Sequence, residues 1–211
     1  MALKLCLNSI MIHEYYAYYL GWKGRAIESR QEIAKYYELD PLAEDFLVYE
    51  AVINYLLSDY QGTIEVGQRA VASDPNSWLA HHLLGSGYEQ SDRMSEAIAE
   101  YQDALRLSEG DQEPTASLAH AYAITGKKQE ALKILREWQH QSKTRYISPY
   151  MIATIFAGLG DKDRAFEFLE RAYQERSPDV VYFLKTDPRI ANLRPHSQFR
   201  DFLRRMNFPQ P

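Results

Sequence analysis

The side chains best suited to chemistry in this sequence are six histidines, one cysteine and a scatter of carboxylates. His81 and His82 are neighbours, so on a helix their side chains diverge by about 100°. His120 falls in a later segment, and Glu89 is the one acidic residue placed to join His82 as a further ligand. A metal centre wants three or four convergent ligands, so this trio predicts polar surface, with no metal and no cofactor. Cys6 has no histidine close by in sequence. The run Gly85-Ser86-Gly87 lacks the Lys-Ser/Thr that completes a phosphate loop, and neither His-Glu-x-x-His nor Gly-x-Ser-x-Gly occurs. Catalysis is not expected.

The elements that carry these residues read as helices. Glycine and proline are modest at 10 and 9 in 211 residues, and 45% of the chain is hydrophobic against 25% charged. Few helix breakers argue against a many-turned β fold. The net charge of −5 argues against a nucleic-acid surface, although from Asp179 onward six Lys or Arg face three Asp. A single cysteine excludes an intrachain disulfide and suits a reducing compartment. No apolar run approaches the roughly 20 residues that span a bilayer, and the first residues lack a basic signal-peptide start. A cytoplasmic location without membrane partners is the simplest expectation.

A period of 34 organises the chain. Asp40-Pro41 and Asp74-Pro75 are 34 residues apart, and in that register Ala17, Ala51, Gly85, Ala119 and Ala153 form a column of small residues. Ser29, Thr63, Ala97, Ala131 and Ala165 form a second column, and Tyr36, Ala70, Ala104, Trp138 and Ala172 a third. Small residues let two helix backbones approach, while apolar residues three or four apart, such as Leu84 and Tyr88 or Tyr101 and Leu105, keep to one face. Gly24, Gly126 and Gly160 share a turn column, where a helix stops and positive φ is tolerated. Proline after Asp is expected to end one repeat and sit in the first turn of the next.

Trp78–Ser108, with Leu-Gly-x-x-Tyr followed by Ala-x-x-x-Tyr-x-x-Ala-Leu, resembles the tetratricopeptide repeat (TPR) motif. The resemblance implies an all-α fold, a right-handed α-solenoid of helix-turn-helix repeats. Five repeats are expected at 10–43, 44–77, 78–111, 112–145 and 146–177, the second matching least well because Glu50 and Asn54 replace bulky apolar residues. Ala2 and Leu3 match the columns of Ala104 and Leu105, so 1–9 reads as the end of a preceding, truncated repeat. Residues 178–211 are expected to form a helical cap, with Phe199, Phe202, Leu203 and Met206 as its apolar stripe. The stretches Gly158–Tyr173 and Val181–Arg189, running on to Phe199–Met206, resemble the C-terminal TPR regions of bacterial multidomain signalling and transcription-regulatory proteins.

In such solenoids the first helix of each repeat lines a concave face. That register selects Glu14, Tyr18, Trp22, Val52, Tyr55, His82, Ser86, Glu89, His120 and Tyr150 as partner-binding residues, with Met11, Glu113 and Thr154 at equivalent positions. Tyrosine and tryptophan offer large contact area at low entropic cost. The Lys/Asn/Arg set with which some TPR co-chaperones clamp a C-terminal carboxylate is missing, which argues against the acidic tails of the large chaperones as ligands. The expected function is therefore a non-catalytic protein-interaction module, binding a peptide, a helix or a second copy of itself as a homodimer. The alternative is an effector-sensing domain that takes a small ligand near His82, Glu89 and His120 and controls an upstream output domain. An exposed apolar edge including Leu5, Tyr15 and Tyr19 would favour self-association.

Overall fold

The computed structural model describes residues 10–44 and 46–206, in two compact units, 1–108 and 109–211. The expectations for Ala2, Leu3, Leu5, Cys6 and the segment 1–9 lie outside the described residues. All regular structure among the described residues is helical. The first unit holds α1 (Ile10–Trp22), α2 (Ala26–Leu39), α3 (Leu47–Leu56), α4 (Tyr60–Ser73), α5 (Trp78–Gln90) and α6 (Met94–Leu107). The second holds α7 (Gln112–Ile124), α8 (Lys128–Gln141), α9 (Pro149–Gly158), α10 (Lys162–Gln174), α11 (Pro178–Phe183), a 3-10 helix (Pro188–Leu193) and α12 (Ser197–Arg205).

Consecutive helices pair as hairpins, and hairpins stack through their first helices. In the first unit α1 pairs with α2, α3 with α4 and α5 with α6, while α1 packs on α3 and α3 on α5. In the second, α7 pairs with α8, α9 with α10, and α7 packs on α9. The three columns explain this pairing, because all fifteen of their residues are buried. Gly85 shows how close the approach is: a Cβ there would stand 2.8 Å from the Tyr101 ring on α6. In the first hairpin Ser29 Oγ donates to the Ala17 carbonyl at 2.7 Å, joining two columns directly.

The turns between paired helices share one backbone state. Gly24, Ser58, Asp92, Gly126 and Gly160, spaced by 34, all have positive φ between 58° and 82°. Asp59 and Asp161 then cap α4 and α10, accepting from the backbone N–H of Gly62 and Arg164 at 3.0 and 3.1 Å.

One expectation needs correction. Pro41 and Pro75 do not enter the next helix; Asp40 and Asp74 accept the N–H of Leu42 and Asn76, so each Asp-Pro builds an Asx turn in the connection. Helices α3 and α9 begin at Leu47 and Pro149, within the repeats expected from Glu44 and Tyr146. Pro149 drives Ser148 into extended backbone and itself opens α9. Before α3, Phe46 stacks on Tyr36 with ring centroids 3.9 Å apart.

The segment after α10 packs back on the second unit. The 3-10 helix packs on α9, and α11 and α12 pack on α10. Leu184, Ile190, Leu193, Phe199, Phe202 and Leu203 enter the core around Trp138, Ile155 and Leu169. Arg200, Arg204 and Arg205 stay exposed on the opposite side of α12, with Arg205 paired to Glu170. No helix among the described residues is long and apolar enough to cross a membrane.

Candidate partner-binding surface

α1 carries apolar side chains on two faces. One face, His13, Ala17, Leu20 and Gly21, is buried against α2 and α3. His13 Nδ1 lies 2.6 Å from Glu32 Oε2, which fixes α1 to α2. Burial tends to raise the Glu32 carboxyl, but hydrogen bonds from Lys35 and His13 prevail and hold it below the ordinary value. The other face places Met11, Tyr15, Tyr18 and Trp22 at helical spacing of three and four, with Tyr19 beside them. Tyr15 is 60% and Tyr18 39% exposed, and Trp22 is half-buried with Lys23 Nζ 4.5 Å from its ring centre. Glu14 is half-buried at the margin of this stripe.

Val52 and Tyr55 on α3 are also half-buried; Val52 packs against the core that α3 shares with α4 and α5, and Tyr55 packs against Tyr60. On α5 the character changes. His82, Ser86 and Glu89 are buried, and Ser86 and Glu89 converge on one hydroxyl: Tyr101 Oη donates to Glu89 Oε2 at 2.7 Å and lies 3.3 Å from Ser86 Oγ. The His82 ring packs 5.7 Å from the Tyr101 ring. Burial, reinforced by the Glu89 charge, pushes the Tyr101 hydroxyl well above the ordinary tyrosine value, so it remains a proton donor. These three residues thus serve an interior network that supports α5 on α6.

The second unit holds its predicted residues inside. His120 is buried, with its ring against Gly158, where a Cβ would come within 2.7 Å. Tyr150 is fully buried and donates from its hydroxyl to Asp187 Oδ2 at 3.0 Å. As a surface for a partner Tyr150 is therefore corrected: the chain's own Asp187-Pro188-Arg189 already occupies it. Arg189 forks onto Asp187 through Nε and Nη2, pairs with Glu113 at 2.9 Å and donates to Ser117 at 2.9 Å. Burial would raise the Asp187 carboxyl, but the Arg189 charge and hydrogen bonds outweigh it and hold it low. Burial raises Glu113, and the Arg189 charge does not overcome it because Asp187 and Asp179 add repulsion. Sequence reasoning missed this network. Its one legible sign was a third Asp-Pro dipeptide, at Asp187-Pro188, outside the register of the first two.

The structure thus brings Glu14, Tyr18 and Trp22 together on α1, stacks α3 with Val52 and Tyr55 on α1, and withdraws His82, Ser86, Glu89, His120 and Tyr150 from solvent. No group of three or more His, Cys, Asp or Glu among the described residues is placed to hold a metal ion.

Solved structures share this architecture at low identity. The chain is similar to TTC0263, a thermophilic TPR protein of Thermus thermophilus, with 15% identity over 87% of this chain and 100% of that one, and a TM-score of 0.65. It is also similar to YrrB, described as a TPR protein with an unusual peptide-binding site, with 18% identity over 87% of this chain and 94% of that one, and a TM-score of 0.52. No curated protein matches. Residues 21–185 match the tetratricopeptide repeat family, and with the stacked helix hairpins and their 34-residue columns in view, the chain belongs to that family.

Proposed function

We propose that this chain is a non-catalytic protein-interaction module whose partner docks on α1 and α3. The observation that carries the reading is the aromatic stripe of α1: Met11, Tyr15, Tyr18 and Tyr19 stay exposed although the helix already buries its other face. Exposed apolar patches of this kind mark interaction sites, and Tyr and Trp supply most interface hot spots. The stripe suits an amphipathic helix or extended segment whose apolar side chains recur at matching spacing. The peptide-binding site described for YrrB is a precedent for this use of the fold. A second copy of the chain is one such partner.

The context we assign is the C-terminal part of a larger bacterial regulatory protein, cytoplasmic, with the module delivering partner occupancy to an output domain. The support is the resemblance of Gly158–Tyr173 and Val181–Arg189 to such regions.

Selection of binders from a displayed peptide library against the intact chain, followed by calorimetry, tests the surface. Tyr18→Ala and Trp22→Ala should each weaken the selected peptides by about 2 kcal/mol, as hot-spot truncations do. Undiminished affinity in both variants removes the reading.

A further inference from the structure

The second unit contains a cavity of about 500 Å³. It lies between α8 and α10, with α9 as its floor and the connection after α8 at one end. The apolar lining comes from Leu135, Trp138, Ile147, Ile152, Phe156 and Phe168. Four guanidinium groups rim it, Arg136, Arg145, Arg164 and Arg171, against one carboxylate, Glu167.

The arginines are not equivalent. Arg164 pairs with Asp161 and Arg171 with Glu175, both at 2.6 Å, so half of the positive rim is balanced by its own helix. Arg164 also lies 4.5 Å from the Phe156 ring centre, which fixes it over the apolar floor. Arg145 donates to the neutral Gln141 side chain at 2.6 Å, and among the described residues neither Arg136 nor Arg145 pairs with a carboxylate.

We infer that this cavity binds a small organic anion with an apolar body, an alkyl or aryl carboxylate. The volume falls in the range of small-molecule sites, ~300–1,000 Å³, and is too small for the face of a partner helix. The aromatic and aliphatic floor takes the apolar body and disfavours a bare polyphosphate, which would leave charge over hydrocarbon. Arg136 and Arg145 supply the unbalanced positive charge, and a guanidinium fork matches the two oxygens of a carboxylate. The site is separate from the aromatic stripe of α1 and stands without it.

Trp138 lines the cavity, and the other two tryptophans lie in the first unit. The test uses the full chain carrying Trp22→Phe and Trp78→Phe, with folding checked by circular dichroism, and follows Trp138 fluorescence. Decanoate and 2-naphthoate are titrated below micelle formation, beside decanol and decyltrimethylammonium. At least one of the two carboxylates should shift the Trp138 signal saturably, the alkyl and aryl arms showing which body fits. Decanol and the cation should bind at least ~10-fold more weakly, a difference of about 1.4 kcal/mol. Arg136→Gln/Arg145→Gln, both at exposed positions, should lose at least ~10-fold in carboxylate affinity with an unchanged melting temperature. No saturable signal with either carboxylate, equal binding of decanol, or full affinity in the double variant overturns the inference.

Discussion

Arg189 Nη1 donates to Ser117 Oγ at 2.9 Å across 72 positions of sequence. Through that bond and the ion pair with Glu113, the segment after the last hairpin is joined to α7, the first helix of its own unit. Asp187 orients the guanidinium and also caps the 3-10 helix through the Arg189 N–H. A segment that resembles a simple end cap is therefore part of the second unit's interior.

Arg189→Ala should destabilise the second unit by about 3–5 kcal/mol, because Asp187 is left as an uncompensated buried charge beside the half-buried Glu113. Arg189→Lys should recover only part of this loss, since an ammonium cannot reproduce the fork. Urea unfolding of the intact chain, read at Trp138 in the second unit, measures both. A loss below ~1 kcal/mol in the alanine variant would place the network at the level of a surface ion pair.

The two carboxylates beside Arg189 give opposite pH dependence. Asp187 is held below its ordinary value of 3.8, so its contribution is complete above that pH and disappears as pH falls through the lower folded value. Glu113 is raised above 4.5, so its contribution is complete below that pH and is lost as pH rises through the higher folded value. Glu113→Gln keeps a hydrogen-bond acceptor for Arg189 without the charge. Its stability relative to wild type should increase as pH rises from acid to neutral, measured as the shift in urea midpoint. A constant difference across that range would contradict the assignment.

The fold was legible because the close approach of the two helices in each hairpin imposes the same size constraint every 34 positions. Ala17, Ala51, Ala119 and Ala153 state that constraint openly, and Gly85 obeys it. The turn column was only partly visible, since Ser58 and Asp92 adopt the backbone state that Gly24, Gly126 and Gly160 advertise. The α1 surface was readable from the spacing of its tyrosines. The second unit was not, because a repeat register says which way Tyr150 points but not what the chain later lays over it. Asp187 and Arg189 carry no periodic signal: they act once, in the segment after α10.

That shared turn state predicts a graded response to substitution. Gly126→Ala should cost about 1–2 kcal/mol, the penalty of placing a Cβ in left-handed backbone. Ser58→Gly should relieve that strain and stabilise the first unit by up to ~1 kcal/mol, reduced by the extra freedom glycine gives the unfolded chain. Differential scanning calorimetry of the two variants should show melting temperatures displaced in opposite directions. Displacement in the same direction would show that side-chain contacts dominate at one of these turns.

Gly85 offers a sharper case, because propensity and packing disagree there. In a helix interior Gly→Ala ordinarily gains about 1 kcal/mol. Here the new methyl would stand 2.8 Å from Tyr101 Cδ1 and 3.2 Å from the Ala97 carbonyl oxygen, distances that force the α5–α6 pair apart. Overpacking of this kind costs about 1–3 kcal/mol, so Gly85→Ala should be neutral to destabilising by ~2 kcal/mol. Tyr101→Leu alone should also destabilise, by opening space and leaving Glu89 without the hydroxyl that donates to it. Combined, the alanine methyl enters part of the space the ring vacates. The double variant should therefore be more stable than the sum of the single losses by at least ~1 kcal/mol in a double-mutant cycle. Strict additivity would mean that the tyrosine ring is not what requires glycine at this position.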